Sequence, residues 1–215
     1  MKTRAVFLDA LGTLVELEPP WTHLAPDLGI EPDERLLGAV RAEMGYYKEH
    51  AHEGTDPEAL ADLRGRCAAV LSRELGRDVT VDQMMAAIRF RAYPDAKPAL
   101  SELRARGLKL VCVSNWDISL PEVLERCDLL EAVDGVVTSA GAGARKPDPA
   151  IFAAAVELAG CQASEVLHVG DTEEEDLAGA RAAGIDVLLL DRDGNGDIAS
   201  LGEVPERVSG RMPGP

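Results

Sequence analysis

The stretch Phe7-Leu8-Asp9-Ala10-Leu11-Gly12-Thr13-Leu14 decides the fold. The apolar run at residues 4–8 is typical of a buried parallel strand, and Asp9 places a carboxylate where that strand ends. Gly12 marks a tight turn directly after it. In open α/β sheets, ligands bind beyond the carboxyl ends of the strands. Asp9 is therefore the first candidate for a reactive group.

Four more short runs rich in Val, Leu and Ile resemble this first strand, and helical segments with typical end signals alternate with them. The predicted strands are residues 108–113, 133–138, 166–169 and 185–190, and the predicted helices are residues 94–106, 147–159 and 172–183. This alternation predicts an α/β fold with a Rossmann-like, doubly wound parallel sheet.

The segment from Glu16 to Tyr93 offers no convincing strand, and it contains three amphipathic helical patterns. Thr80 and Gln83 form a capping-box pattern that begins the third helix, which we expect to run through Phe90. A helical insertion directly after the first strand lies where it can close over a site at the strand ends. We therefore expect residues 1–15 and 94–215 to form the core and residues 16–93 a helical cap domain. The tail from about Ser200 is expected to be irregular.

Composition excludes several classes of function. The 215 residues include 38 acidic and 22 Lys or Arg side chains, and the resulting net charge of −16 repels nucleic acids and anionic membranes. The four cysteines are widely spaced, which argues against a disulfide framework or a structural zinc site. No apolar run is long enough for a signal peptide or a membrane span. We expect a cytoplasmic protein that acts on a small molecule, and the sequence leaves its oligomeric state open.

Polar and charged residues follow the predicted strands at the same edge of the sheet. They are Ser114 and Asn115, Lys146, and Asp171 with Asp176. A carboxylate such as Asp9 can attack a phosphoryl group only if the negative charge on both partners is neutralised. Asp171, with Asp176 behind it, offers the oxygen ligands that Mg²⁺ prefers, and Lys146 offers a second positive charge. Ser114 offers a hydrogen bond to a phosphoryl oxygen.

These motifs, taken together and in this order, resemble those of the haloacid dehalogenase (HAD) superfamily over roughly residues 4–191. The resemblance implies that Asp9 is a nucleophile, that Lys146 neutralises charge, and that the cap is mobile. It implies a Mg²⁺ site made by Asp9, the backbone carbonyl of Leu11, Asp171 and Asp176. It also implies that the substrate-binding residues are Thr13, Ser114 and Asn115.

Leu11 departs from the family pattern. Phosphatases of this superfamily carry an aspartate there, which protonates the leaving alcohol, whereas haloacid dehalogenases lack it. Dehalogenases also lack a metal and carry Ser and Asn in the fourth motif, where this chain carries Asp171 and further acidic residues. The preferred interpretation is a Mg²⁺-dependent phosphatase. A 2-haloacid dehalogenase and a non-catalytic protein that binds a phosphorylated metabolite or a partner remain open, and Asp117 is a weak candidate for the missing acid.

Overall fold

The computed structural model describes residues 2–209. Within them, five parallel strands form one sheet in the order β5-β4-β1-β6-β7, and two short antiparallel strands form a separate ribbon. The strands are β1 (Ala5–Leu8), β2 (Val15–Leu17), β3 (Phe90–Ala92), β4 (Lys109–Ser114), β5 (Gly135–Thr138), β6 (Val166–Gly170) and β7 (Asp186–Leu189). The predicted Rossmann-like sheet is confirmed, and each predicted core strand agrees with the structure to within two residues at either end.

Helices cover both faces of the sheet, as a doubly wound fold requires. The α-helices are α1 (Pro20–Leu28), α2 (Glu34–His50), α3 (Pro57–Leu75), α4 (Val81–Ala87), α5 (Ala96–Ala105), α6 (Leu120–Arg126), α7 (Ser139–Ala142), α8 (Pro149–Ala159), α9 (Ala178–Ala182) and α10 (Val204–Ser209). Side chains alternate along β1 because successive residues of a strand point to opposite faces. Val6 and Leu8 belong to one buried cluster with Leu100 of α5, and Phe7 belongs to another with Phe152 of α8.

In the sequence, helices α1–α4 fall between β2 and β3, the two strands of the ribbon. These helices surround a third buried cluster. All of its buried members fall between Leu24 and Ala87, and they include Leu36, Leu63 and Met84. The expected helical insertion after the first strand is therefore present. The division into a core and a separate cap domain at residues 15 and 93 stays a prediction.

Three expectations about element boundaries were wrong. The segment from Glu16 to Tyr93 does contain strand residues, because β2 and β3 pair where the chain leaves and rejoins the core. The third helix of the insertion ends at Ala87, and Ile88 is already extended. The tail is ordered as a short 3₁₀ turn, Leu201–Glu203, followed by α10, since Leu201 and Val204 are buried in the core. Residues 210–215 lie outside the described part of the chain.

Among the described residues, no helix combines the length and the apolar character that crossing a bilayer requires.

Candidate functional site

Strand register brings the predicted site residues to one edge of the sheet. Leu8 of β1 is level with Cys112 of β4 and with Val169 of β6. The backbone N–H of Asp9 donates to the carbonyl of Val169 at 2.9 Å. Asp9 therefore lies in the middle of the sheet edge, between the ends of the two neighbouring strands. This is the topological switch point, where the chain order changes direction on either side of β1.

A buried ammonium group joins two carboxylates at this edge. Lys146 Nζ lies 2.5 Å from Asp9 Oδ1 and 2.6 Å from Asp176 Oδ1, and the Lys146 side chain is only 1% exposed. Burial opposes the charge on Lys146, but the two carboxylates outweigh this effect and raise its pKa. Burial raises the pKa of Asp9, while Lys146 acts in the opposite direction. A buried charge is tolerated only when it is paired, so each of the three groups depends on the others.

Asp176 is the most firmly held of these groups. Its Oδ1 also accepts from His168 Nε2 at 2.8 Å, and its Oδ2 accepts from the backbone N–H of Thr172 at 3.1 Å. Burial alone would raise the pKa of Asp176, but Lys146 and His168 lower it well below its ordinary value. Gly170 is required beside it, since a Cβ there would lie 2.1 Å from the Asp176 carboxyl carbon.

His168 has a role that the sequence did not reveal. Its ring is fully buried, and its edge lies against Phe152. Because a carboxylate only accepts hydrogen bonds, Nε2 must carry the hydrogen that is donated to Asp176. The alternation of side chains along β6 could have indicated this role. His168 lies two residues before Gly170 and therefore faces the same side of the sheet as Gly170, against which Asp176 packs.

Asp171 lies at the rim of the site, against the loop that follows β1. Gly12 has a φ of +86°, and a Cβ at this position would lie 2.1 Å from Asp171 Oδ2. Burial, together with repulsion from Asp9 and Asp176, raises the pKa of Asp171 to about 6. The side chain therefore lies close against the backbone next to Leu11 and is repelled by neighbouring negative charge.

The three carboxylates suit a divalent cation. Asp9, Asp171 and Asp176 each have an oxygen within 4.8 Å of the others. One ammonium group leaves two of these three negative charges uncompensated. Hard oxygen donors in this number match the preference of Mg²⁺.

The predicted substrate-binding residues are all near the site, but they differ in what they contact. Asn115 uses both ends of its amide on the Lys146 backbone: Oδ1 accepts from the N–H at 2.7 Å, and Nδ2 donates to the carbonyl at 3.0 Å. Ser114 is buried at the end of β4, where its hydroxyl helps to lower the pKa of Asp9. The hydroxyl of Thr13 is buried and has no hydrogen-bond partner among the described residues. The role of each in substrate binding stays a prediction.

Leu11 is one of the few large apolar side chains that are exposed, at 40%. The residue considered as its replacement, Asp117, is occupied elsewhere. Asp117 Oδ2 accepts from the Tyr47 hydroxyl of α2 at 2.8 Å, and Oδ1 accepts from the N–H of Ser119 at 2.6 Å. Asp117 therefore joins the helical insertion to the core, and nothing in its contacts favours a role as a proton donor.

Two further contacts hold the insertion over the strand ends. Lys48 of α2 lies 3.2 Å from Glu175, in the same segment as Asp171 and Asp176. The backbone N–H of Ile118 donates to the carbonyl of Gly54 at 3.1 Å.

A doubly wound sheet with a helical insertion after its first strand, and with an Asp–Lys–Asp set at the switch point, defines a HAD-type α/β protein. The sequence profile of haloacid dehalogenase-like hydrolases matches residues 3–184. The chain belongs to this family and is a hydrolase, so the resemblance seen in the motifs is confirmed.

A phosphatase of Mycobacterium tuberculosis is 33% identical over 220 residues, which cover 95% of this chain and 97% of that protein. Haloacid dehalogenase-like hydrolase domain-containing protein 3 of Danio rerio is 40% identical over 119 residues, 55% of this chain and 49% of the relative. The match thus spans about half the length of this second relative.

Solved structures confirm the fold without separating phosphatases from dehalogenases. A HAD phosphatase from Thermococcus onnurineus has a TM-score of 0.69 at 24% identity, covering 97% of this chain and 99% of that one. An L-2-haloacid dehalogenase from Xanthobacter autotrophicus has a TM-score of 0.73 at 22% identity, covering 98% and 100%.

Replacing the buried ammonium tests how strongly the site depends on it. We expect Lys146→Met to lower the free energy of unfolding by about 3–5 kcal/mol, because Asp9 and Asp176 would stay buried without their partner. Urea unfolding at pH 7 in EDTA measures this. The control is Lys109→Met, an exposed lysine 3.2 Å from Asp134, which we expect to cost at most about 1 kcal/mol. Equal losses in the two variants would contradict the assignment.

Proposed function

We propose that this protein is a Mg²⁺-dependent phosphatase that acts on a small phosphorylated metabolite, with Asp9 as the covalent nucleophile. One observation carries the proposal: Asp9 is paired with Lys146 at 2.5 Å and lies in a set of three carboxylates whose oxygens are within 4.8 Å of one another. The matched phosphatase of Mycobacterium tuberculosis, which covers nearly the whole chain, supports the same class of reaction.

The metal site consists of Asp9, the backbone carbonyl of Leu11, Asp171 and Asp176. When bound there, Mg²⁺ supplies the positive charge that lets an anionic nucleophile approach an anionic phosphate. Asp176 has a second task, since its hydrogen bonds to Lys146 and His168 fix the ammonium group beside Asp9.

Lys146 and its neighbours position the phosphoryl group. An ammonium group carries three N–H donors, of which Asp9 and Asp176 accept two. The third is directed to a non-bridging phosphoryl oxygen. The buried hydroxyls of Ser114 and Thr13 provide further donors, and the unpartnered Oγ1 of Thr13 is explained if its partner arrives with the substrate.

The reaction then proceeds in two displacements. An oxygen of Asp9 forms a bond to phosphorus while the bond from phosphorus to the leaving oxygen breaks, and the leaving alkoxide takes a proton from water. A water molecule next attacks the phosphorus of the aspartyl-phosphate. The bond from phosphorus to Asp9 breaks, and the attacking water loses one proton to the solvent, which balances the proton that the alkoxide took from water. Hydrogen phosphate and the Asp9 carboxylate are released.

A 2-haloacid dehalogenase is the second candidate, and Leu11 is the observation that favours it. A halide leaves without a proton, so an apolar residue at this position costs a dehalogenase nothing. Against this candidate, the site carries Asp171 and an excess of negative charge that a carboxylate substrate would increase.

The first test concerns the metal. We expect Mg²⁺ to raise the thermal midpoint of the wild type. Asp171→Asn should need a Mg²⁺ concentration about tenfold higher or more for the same shift, because a charged ligand is lost. The control is Asp82→Asn, an exposed carboxylate in the first turn of α4. If the wild type does not bind Mg²⁺ and releases halide from 2-halo acids in EDTA, the dehalogenase is the correct assignment.

The second test concerns the nucleophile. Beryllofluoride with Mg²⁺ should stabilise the wild type, because it takes the place of the phosphoryl group on Asp9, and it should leave Asp9→Asn unaffected. Asp9→Asn should lose all hydrolysis of p-nitrophenyl phosphate. Mass spectrometry excludes deamidation back to Asp, and Asp9→Ala provides a variant that cannot revert. Turnover that persists in Asp9→Ala would rule out covalent catalysis by this residue.

The third test uses Leu11. A positioned acid contributes about 10²–10⁴-fold to a rate, which is about 3–5 kcal/mol. We expect the wild type to hydrolyse p-nitrophenyl phosphate much faster than a sugar phosphate, since the phenolate leaves without a proton and the alkoxide does not. Leu11→Asp should narrow this difference in rate by accelerating hydrolysis of the sugar phosphate. Leu11→Asn should not, because an asparagine side chain has the shape of aspartate but cannot act as an acid. A wild type that hydrolyses both equally fast would show that another residue supplies the proton.

A further inference from the structure

Arg192 follows β7, outside every motif considered above, yet its guanidinium contacts the loop that carries the site. Nη2 donates to the carbonyl of Thr13 at 2.8 Å, and Nε donates to the carbonyl of Gly12 at 3.4 Å. Nη1 donates to Asp95 Oδ2 at 3.0 Å. The guanidinium carbon also lies 3.5 Å from the centroid of the Tyr93 ring.

These contacts join the two places where the chain passes between the core and the helical insertion. Gly12 and Thr13 precede β2, on the outgoing connection, and Tyr93 and Asp95 follow β3, on the returning one. The backbone N–H of Tyr93 also donates to the carbonyl of Leu14 at 3.1 Å, so the two connections lie side by side.

Asp95 gives Arg192 a fixed anchor in the core. The same Oδ2 atom that binds Arg192 accepts from the Ser200 hydroxyl at 2.8 Å and from the N–H of Leu201 at 2.9 Å. Leu201 is fully buried. The guanidinium is thus held from the core side while its other donors reach the outgoing connection.

Only an arginine can make this set of contacts. A guanidinium is planar and carries five N–H donors in a fixed fork. It can stack on an aromatic ring while these donors point outward in its own plane. A lysine retains the charge but offers a single donating centre, and it cannot reach two carbonyls and a carboxylate while it lies over Tyr93.

The loop that Arg192 holds sets the spacing of the proposed reactive groups. Gly12 lies directly against the Asp171 carboxylate, since a Cβ on Gly12 would come within 2.1 Å of Asp171 Oδ2, and Asp9 lies three residues before Gly12. A displacement of the Gly12–Thr13 backbone would therefore move Asp171 relative to Asp9. Misplacement of a reacting group by about 1 Å can cost about 10²-fold in rate.

We propose that Arg192 is a positioning residue that clamps both connections of the helical insertion, so that movement of the insertion does not displace Asp9 from Asp171. The consequence for rate rests on the proposed phosphatase function, whereas the clamp itself does not.

The experiment compares Arg192→Met, which keeps an unbranched apolar side chain but removes the donors, with Arg192→Lys, which keeps the charge. The control is Arg91→Met, an exposed arginine of β3 that pairs with Glu16 at 2.9 Å on the same ribbon. Hydrogen exchange of the full chain reports on the hydrogen-bonded amides of Leu14, Val15 and Tyr93. Steady-state kinetics with p-nitrophenyl phosphate and Mg²⁺ report kcat and KM separately.

In Arg192→Met, we expect these three amides to exchange about tenfold faster or more, while amides of α3 and β6 keep their wild-type rates. We expect kcat to fall about 10- to 100-fold with KM within about twofold, because positioning is lost rather than binding. Arg192→Lys should restore only part of either quantity, and it serves alone if the methionine variant does not fold. Arg91→Met should match the wild type.

Unchanged exchange at Leu14, Val15 and Tyr93 would overturn the clamp, whatever the activity. Faster exchange throughout the chain, with kcat unchanged, would show a general stabilising role and would also overturn it. If the wild type has no phosphatase activity, the proposed function fails, and the exchange data still decide the role of Arg192.

Discussion

The structure depends on one buried ammonium group placed between two buried carboxylates. Lys146 comes from the loop before α8, Asp9 from the end of β1 and Asp176 from the turn after β6. Lys146 Nζ lies 2.5 Å from Asp9 Oδ1 and 2.6 Å from Asp176 Oδ1. Such a contact is favourable only when all three chain segments are in place, because an unpaired charge in this environment is costly. The polar residues around it follow from the same constraint: Asn115 fixes the Lys146 backbone, and His168 and Thr172 complete the hydrogen bonds of Asp176.

The same arrangement leaves the site with more negative than positive charge. Asp171 adds a third carboxylate, and burial together with repulsion from the other two raises its pKa. In the proposed phosphatase, an anionic phosphate would be repelled by these carboxylates unless a cation offsets their charge. The proposed function therefore makes substrate binding depend on metal binding, and it would give the acidic segment after β6 a role beyond capping a short helix.

The sheet and the site edge were predictable from sequence, and the contacts that couple them were not. Short apolar runs ending in Asp9, Ser114 and Asp171 carry a local signal, because parallel strands end at a common edge. The strands of the ribbon were missed because each has only three residues and pairs with a partner more than seventy positions away. The sequence gives no signal for the contacts of His168 and Arg192, since the importance of each residue depends on which distant atoms the fold brings to it. The same holds for Asp117, whose partner Tyr47 lies in the helical insertion.

The contacts between the insertion and the core differ in what they allow. The pair Lys48–Glu175 involves a lysine side chain that is 61% exposed, and such pairs contribute little to stability, so this contact can break and re-form at little cost. The hydrogen bond between Tyr47 and Asp117 is more enclosed, and breaking it exposes a buried carboxylate that water must then solvate. The contacts of Arg192 lie where the chain crosses between the insertion and the core. In the proposed enzyme, opening of the insertion would therefore have to break the hydrogen bond between Tyr47 and Asp117, while the proposed Arg192 clamp keeps the spacing of Asp9 and Asp171.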